Sequence, residues 1–573
     1  MMELEAITTS IEICWKTGEL IVKKCQNYRH AHEEVDERIN QVEAIWDKTR
    51  QQTDFLRRID DVLDAEYRRI VDSSIGLLGE KLSKAVTSLY GVLGNEHGKR
   101  VGFHGFGIKV RKGKYAFLKE TLDEIIKDLE DCHRRFDPTW YLVMRMATPV
   151  IDQQLQEMTR IKPTRVNGFA DATHSSEVTR ATMNRESPLF IARGVRAAIH
   201  APGPPKAIMR EYLKMDRTTI PYSTASLATR WSSSKGTNLS FIIDSVYRYP
   251  GSSMEDLEND VRNLAKRLTS SDPYTFGLLR CKCPMRAPSG LSANSFELVL
   301  HIPEGMGNPK CLRQMLLQHG EQPLPSLTRR LRIAQQLANS ISYVHNFNFV
   351  HKGVCPESVL LLEDIQGTPR KGQKTLYAFL VGFGNFRAAN GDTVLIGDAA
   401  WERNIYRHPE RQGEFLQDSY RMQHDVYSLG VCLLEIGLWE SFVEYDPHTT
   451  EPRKPQDSKS YQEFRAWADA RRKSDGSKPE MAVSQKTSSQ VSHSQRTAVL
   501  LREYLLELAE ARLPHKMGEL YKDVVVACLS SGESEKETSE DELDREAAED
   551  KDGISVGVHY IEEVLDKLAR ITL

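Results

Sequence analysis

The sequence predicts a multidomain chain, with an all-α helical bundle over residues 1–160, a partly disordered linker with some short ordered pieces over 161–235 and an α+β unit over 236–573. Three observations predict it. Apolar residues recur at three-or-four spacing through residues 1–160, with almost no proline. The next stretch is rich in Ser, Thr and Pro, as in "APGPP" and "STASLATRWSSSKG". Beyond it, apolar runs of strand length come first and long helical patterns follow. At 573 residues the chain also exceeds the roughly 250–300 at which a single core stops growing.

In the bundle, Leu4, Ile7, Ile11, Cys14 and Ile21 mark one helix face, and Val35, Ile39, Val42, Trp46, Phe55, Ile59 and Val62 a second. Ile70, Leu77, Leu78, Leu82, Val86 and Leu89 mark a third, and Phe117, Leu118, Leu122, Ile125, Ile126 and Leu129 a fourth. Asp137-Pro138 is expected to end the fourth helix, because proline removes a backbone donor. "TWYLVMRM" is expected to open a further helix reaching Glu157.

Between the third and fourth helices, "GKRVGFHGFGIKVRKGKYAFLK" carries Lys99, Arg100, Lys109, Arg111, Lys112 and Lys114 and no acid. Gly94 to Lys99 is one residue short of a phosphate loop, and Arg100 stands where Ser or Thr holds magnesium, so nucleotide binding is rejected there. Two readings stand: a solvated loop, or a patch for anionic lipid at about 1 kcal/mol per charge.

A formal net charge of -3 leaves no global field for nucleic acid, so no nucleic-acid partner is expected. The nine cysteines lack paired spacing, and Cys14, Cys25, Cys432 and Cys528 sit in apolar runs, which fits a reducing cytosol. Cys281 and Cys283 have no second pair to complete a tetrahedron, so no metal site is expected. The start "MMELEAITTSIEICW" has acids where a signal peptide needs basic residues, and no apolar run reaches the roughly 18 residues of a membrane span. A cytoplasmic chain, peripheral on membrane when activated, is the expectation.

In the second unit "LSFIIDSVYRYP", "FGLLRCKCP" and "FELVLHIPEG" read as strands, and "SMEDLENDVRNLAKRL" and "LTRRLRIAQQLANSISYVH" as helices. The polar stretch 447–497 and the acidic stretch near 531–552 read as mobile insertions. "DKDG" lacks the spacing of a calcium loop.

This unit resembles the protein kinase fold, with two lobes. "FELVLHIPEG" is similar to the last small-lobe strand and hinge, "VHKGVCPESVLLL" to the catalytic loop, and "FLVGFGNFR" to the metal-binding loop. "YRHPER" is similar to the end of the activation segment, and "HDVYSLGVCLLEI" to the central large-lobe helix. The resemblance implies structural roles for His351, Glu410 and Asp425. At the matched catalytic positions stand Gly353 for the catalytic Asp, Ser358 for the Asn, Gly382 for the metal-binding Asp and Val246 for the strand Lys, with Arg248 on the same face. No glycine-rich loop precedes that strand.

Phosphoryl transfer depends on positioned charge, and loss of one such group costs on the order of 3 kcal/mol. The expectation is therefore a pseudokinase: a catalytically inactive domain with no catalytic residue, no metal, and neither ATP nor magnesium as cofactor. The alternative is an atypical kinase that recruits Asp244 or Glu258.

"WERNIYRHPERQG", "LPHKMGELYKDVVVACL" and "GVHYIEEVLDKLARI" resemble filamentous-fungal proteins that join a helical domain to a degenerate kinase domain. The N-terminal helices, including "DPTWYLVMRM", resemble that group and the HeLo-type domains of fungal cell-death and incompatibility proteins. The layout is similar to the mixed lineage kinase domain-like proteins. These resemblances imply a helical effector that oligomerises or binds membrane under control of the second unit, which takes a protein partner. A protein-interaction scaffold without membrane activity is the other class of function.

Overall fold

The computed structural model describes residues 4–29, 33–93, 112–160, 187–200, 215–232, 236–248, 253–287, 295–318, 324–365, 375–388, 396–398, 400–415, 420–446, 454–474, 488–532 and 554–571. The chain divides into two units, Met1–His200 with Asp550–His559, and Ala201–Glu549 with Tyr560–Leu573.

The first unit is helical: α1 (Leu4–Gln26), α2 (Glu33–Arg58), α3 (Ala65–Leu93), α4 (Lys112–Leu142), α5 (Pro149–Arg160) and α6 (Pro188–His200). The apolar faces of the first three close on one another through Ile11, Cys14, Ile21, Val35, Ile39, Val42, Ile70, Leu78 and Leu82, all buried. Two expectations for α4 need correcting. Phe117 is 64% exposed, because the buried stripe begins at Leu118 and a neighbour in sequence lies about 100° round the helix. The helix also runs through Pro138 to Leu142. Proline inside a helix costs about 3 kcal/mol, but the residues around it are pinned. Asp137 accepts hydrogen bonds from Lys48 Nζ at 2.7 Å and Gln52 Nε2 at 2.8 Å, and Tyr67 Oη donates to the Thr139 carbonyl at 2.6 Å. Trp140 is fully buried. Burial would raise the Asp137 carboxyl, but Lys48 and His133 outweigh it and hold it well below its ordinary value.

The ordered pieces expected within the linker, 161–235, belong to the two units themselves. Helix α6 joins the bundle: buried Arg196 grips Asp152 at 2.6 Å and the carbonyls of Met146 and Thr148, each at 2.7 Å. The helix also buries Leu189, Ala192 and Val195, a short apolar face that the Ser-, Thr- and Pro-rich stretch around it hid.

The second unit opens with an antiparallel five-stranded sheet of order β1-β2-β3-β5-β4. Its strands are β1 (Asp216–Thr219), β2 (Ala225–Ser232), β3 (Thr237–Tyr247), β4 (Cys281–Arg286) and β5 (Ser295–His301). Strands β1 and β2 also fall within the expected linker. Helix α7 (Met254–Thr269) starts at Ser253, whose hydroxyl caps Glu255 N and Asp256 N. One sheet face buries Ala228, Phe241, Ile243, Met285 and Val299 together, so Ile242, Asp244 and Val246 point to the other face.

The larger lobe is built on α8 (Leu327–Asn346), α9 (Met422–Leu438), α10 (Lys459–Ser474), α11 (Ser488–Met517) and α12 (Glu519–Leu529). A small sheet adds β6 (Met306–Cys311), β7 (Val359–Asp364) and β8 (Leu376–Leu380). Part of the stretch 447–497, expected as an insertion, is therefore helix. Phe464 and Ala468 of α10 are buried, with Phe464 5.6 Å from the Tyr504 ring, and this four-residue pair is what the polar composition masked. The acidic stretch lies almost wholly outside the described residues. Among the described residues, no helix is long and apolar enough to cross a membrane.

Candidate functional site

The site lies in the second unit, where three loops meet: the one after α8 (residues 351–358), the one after β8 (residues 382–385), and the turn between β1 and β2. Asp425, in the first turn of α9, holds the first. Its carboxylate accepts from His351 N at 2.8 Å, Lys352 N at 2.9 Å and Tyr420 Oη at 2.8 Å, with His345 Nε2 at 3.2 Å. Burial raises the Asp425 carboxyl, but His345 and His351 together with these bonds bring it below its ordinary value. His351 is fully buried, and burial pushes it down to about 4 despite the opposing Asp425. As neutral imidazole it donates from Nε2 to the Val381 carbonyl at 3.0 Å, which ties the two loops together.

Gly353 and Gly382 face each other but differ in the space they leave. A Cβ at Gly353 meets only the Gly382 carbonyl at 3.6 Å and the His351 ring beyond it. Gly382 has φ +84 and a Cβ there lies 2.8 Å from Ser358 Cβ and 2.9 Å from Thr224 Oγ1. Ser358 turns inward on its own loop, donating to the Cys355 carbonyl at 2.9 Å. Lys352 is pushed down to about 8, by burial first and then by Arg387 and Arg411.

On β3 it is Asp244 that reaches the second loop. Its Oδ2 accepts from Gly382 N at 2.8 Å and Phe383 N at 2.9 Å. The residue is 1% exposed, and burial raises its carboxyl to about 6 against these amides. Val246 is buried on the same face two residues on, while Arg248 is exposed at the strand end. Glu258 of α7 pairs with Arg262 and, at 3.4 Å, with Arg286.

Glu410 lies between two imidazoles, 3.6 Å from His408 Nδ1 and 3.5 Å from His424 Nε2. These residues have the types of a metal-ligand set. The protons argue otherwise. His424 Nδ1 accepts from Arg421 N at 3.1 Å, so the ring proton sits on the Nε2 that faces the carboxylate. The trio is a hydrogen-bonded cluster at the end of the segment.

Sequence reasoning missed Arg313. It is fully buried in the short helix Leu312–Leu317, 2.9 Å from Glu357 and 3.0 Å from Glu435, and it also donates to Tyr406 Oη and Ser441 Oγ. Its signal was a lone arginine in the apolar run "CLRQMLL". The network ties this short helix to the catalytic-type loop and to α9. Of the basic candidates in the first unit, Lys99, Arg100, Lys109 and Arg111 lie outside the described residues, as do the side chains of Lys112 and Lys114 at the start of α4.

Residues 297–442 match the family described as protein tyrosine and serine/threonine kinase. The chain is 32% identical over 122 residues to the mitogen-activated protein kinase kinase mkk2 of Aspergillus fumigatus, covering 21% of each chain. It is 27% identical over 146 residues to a serine/threonine-protein kinase-like protein of Arabidopsis thaliana, covering 24% of this chain and 36% of that protein. The chain thus matches well under two thirds of either relative's length.

These matches overturn the expectation of a catalytically inactive domain: the similarity is to kinases, and no observation establishes inactivity. The physical fault was to equate missing residue types with missing chemistry. Positioned charge can come from outside the matched positions, as Asp244 beside the Gly382 amide illustrates. The second unit, with its five-stranded sheet and helical lobe, is a protein-kinase-like domain with kinase relatives, preceded by a mostly helical region.

Proposed function

We propose that this chain is a signalling protein in which the kinase-like unit controls a helical unit that oligomerises or engages an anionic membrane, in the manner of fungal cell-death or incompatibility responses. One observation carries the control half. Asp244 and Asp425 are both buried, and each grips one cleft loop through pairs of backbone N–H groups. Such a linkage moves both loops together when one end is released, which is what a two-state element requires. The kinase relatives make phosphoryl transfer to a protein hydroxyl the reaction to assay on this unit.

The membrane half rests on the basic run from Lys99 to Lys114. Its test is co-sedimentation of the full chain with phosphatidylserine or phosphatidylcholine vesicles, beside a chain with Lys109, Arg111, Lys112 and Lys114 changed to Gln. The expected result is binding to the anionic vesicles alone, lost in the altered chain. No binding by a folded wild-type chain at low ionic strength removes the membrane half.

A second reading, a protein-interaction scaffold, is favoured by Phe117 and Phe190, 64% and 40% exposed on the helical unit. Under it the altered chain localises as wild type.

A further inference from the structure

We infer that the side-chain amine of Lys352 is a nucleophile and a modification site, acylated by an anionic donor of the acyl phosphate class. The inference stands apart from the proposed control of a helical unit and does not rest on it. Lys352 has φ +63, a left-handed conformation that a long side chain keeps only where its surroundings hold it. Asp425 does the holding, accepting the Lys352 N–H at 2.9 Å and the His351 N–H at 2.8 Å.

The pinned side chain enters a cluster of cations. Its Nζ lies 5.7 Å from the centre of the Tyr420 ring, and the Arg411 guanidinium lies 5.6 Å from the same centre. Arg387, opposite Val350 in a two-stranded ladder, donates to the Tyr420 carbonyl at 2.5 Å. Arg387 and Arg411 are both buried, and Arg407 is near enough to act on the amine. The opposing charge is Asp425, which is already shared among two backbone amides, the Tyr420 hydroxyl and His345.

Arginine keeps its proton at any physiological pH, so the lysine is the member of the cluster that yields one. Burial first, then Arg387 and Arg411 with Arg407 behind them, bring the amine to about 8 against the pull of Asp425. At pH 7.5 such an amine is uncharged in about a quarter of molecules, against about one in a thousand for an ordinary lysine. Lys352 is half-buried rather than sealed, so a small reagent reaches it.

The guanidiniums that depress the amine also draw in a negatively charged donor and stabilise the charge that develops on its acyl oxygen. The step balances. The amine lone pair attacks the acyl carbon, the bond from that carbon to the phosphate oxygen breaks, inorganic phosphate leaves, and the amine proton passes to solvent, leaving an amide. The product removes one positive charge from the cluster.

The test treats the folded full chain with acetyl phosphate and reads acetylation at each lysine by mass spectrometry. Lys459, with its side chain 90% exposed, is the reference. At pH 7.5 Lys352 is expected to react on the order of tenfold faster than Lys459, with a rate that rises with pH to a midpoint near 8. Its advantage is expected to shrink with an uncharged acetyl ester, and its rate to fall several-fold in an Arg387→Gln/Arg411→Gln variant. A Lys352 no faster than Lys459, a midpoint at 10 or above, equal advantage with the uncharged ester, or an unchanged rate in the folded variant would each overturn the inference. Should the variant fail to fold, the pH midpoint and the two reagents decide the matter on wild type.

Discussion

Replacing Asp244 by Asn removes a buried charge while keeping an oxygen for the amides of Gly382 and Phe383. The folded carboxyl titrates at about 6 rather than 3.8, chiefly because burial disfavours the charged form. At 1.36 kcal/mol per pH unit the gap amounts to about 3 kcal/mol. The sign follows from proton binding. Between pH 3.8 and about 6 the folded state holds the proton more tightly than the unfolded one, so stability falls as pH rises through that window. The Asn variant carries no such charge. It is expected to match wild type near pH 4 and to exceed it by about 2–3 kcal/mol at pH 7.5. His351 and His408, both pushed down to about 4, titrate in the opposite sense but cancel in the difference between the two proteins. Urea unfolding of both full chains from pH 4 to 7.5, followed by tryptophan fluorescence, gives the comparison. An Asn variant less stable at pH 7.5, or a stability difference that does not change with pH, refutes the reasoning.

The two cleft glycines are expected to respond differently to aspartate. Gly382→Asp, with φ +84 and two contacts inside 3 Å, loses about 2 kcal/mol or more, whereas Gly353→Asp stays within about 1 kcal/mol, both read by thermal melts. Asp425→Ala strands the amides of His351 and Lys352 and the Tyr420 hydroxyl, and is expected to cost about 3 kcal/mol or more in denaturant unfolding. Below pH 6.5 the native state resists protonating His351, so its contribution is lost as pH falls from 6.5 toward 4, and an NMR titration of its ring is expected to show no charging above pH 5.

The fold class was legible because periodicity is written along the chain. The faces of α1 to α3 follow from spacing alone, as do β3, β5 and α8. What was not legible depends on partners distant in sequence. Helix α4 passes Pro138 because Lys48 and Gln52, far upstream, hold Asp137. Helix α6 is fastened by Arg196 to a carboxylate and carbonyls some fifty residues back, which no composition window detects. Within the site, spacing marked Gly353, Ser358 and Gly382, but only geometry brings Asp244 to the Gly382 amide. The β1–β2 turn was hidden for the same reason: its contacts at Glu357 and Tyr445 lie more than a hundred residues downstream.

The proposed control of the helical unit by the kinase-like cleft is open to direct measurement. The most direct measurement is co-sedimentation of wild-type and Tyr222→Ala/Ser223→Ala full chains with phosphatidylserine vesicles. Iodoacetamide labelling of Cys311, buried with its thiol on the Pro221 carbonyl of the β1–β2 turn, is recorded on the same samples. The chain whose β1–β2 turn has lost the Ser223 and Tyr222 contacts is expected to bind the vesicles several-fold differently from wild type. Identical vesicle binding by two chains whose Cys311 labelling differs would contradict it.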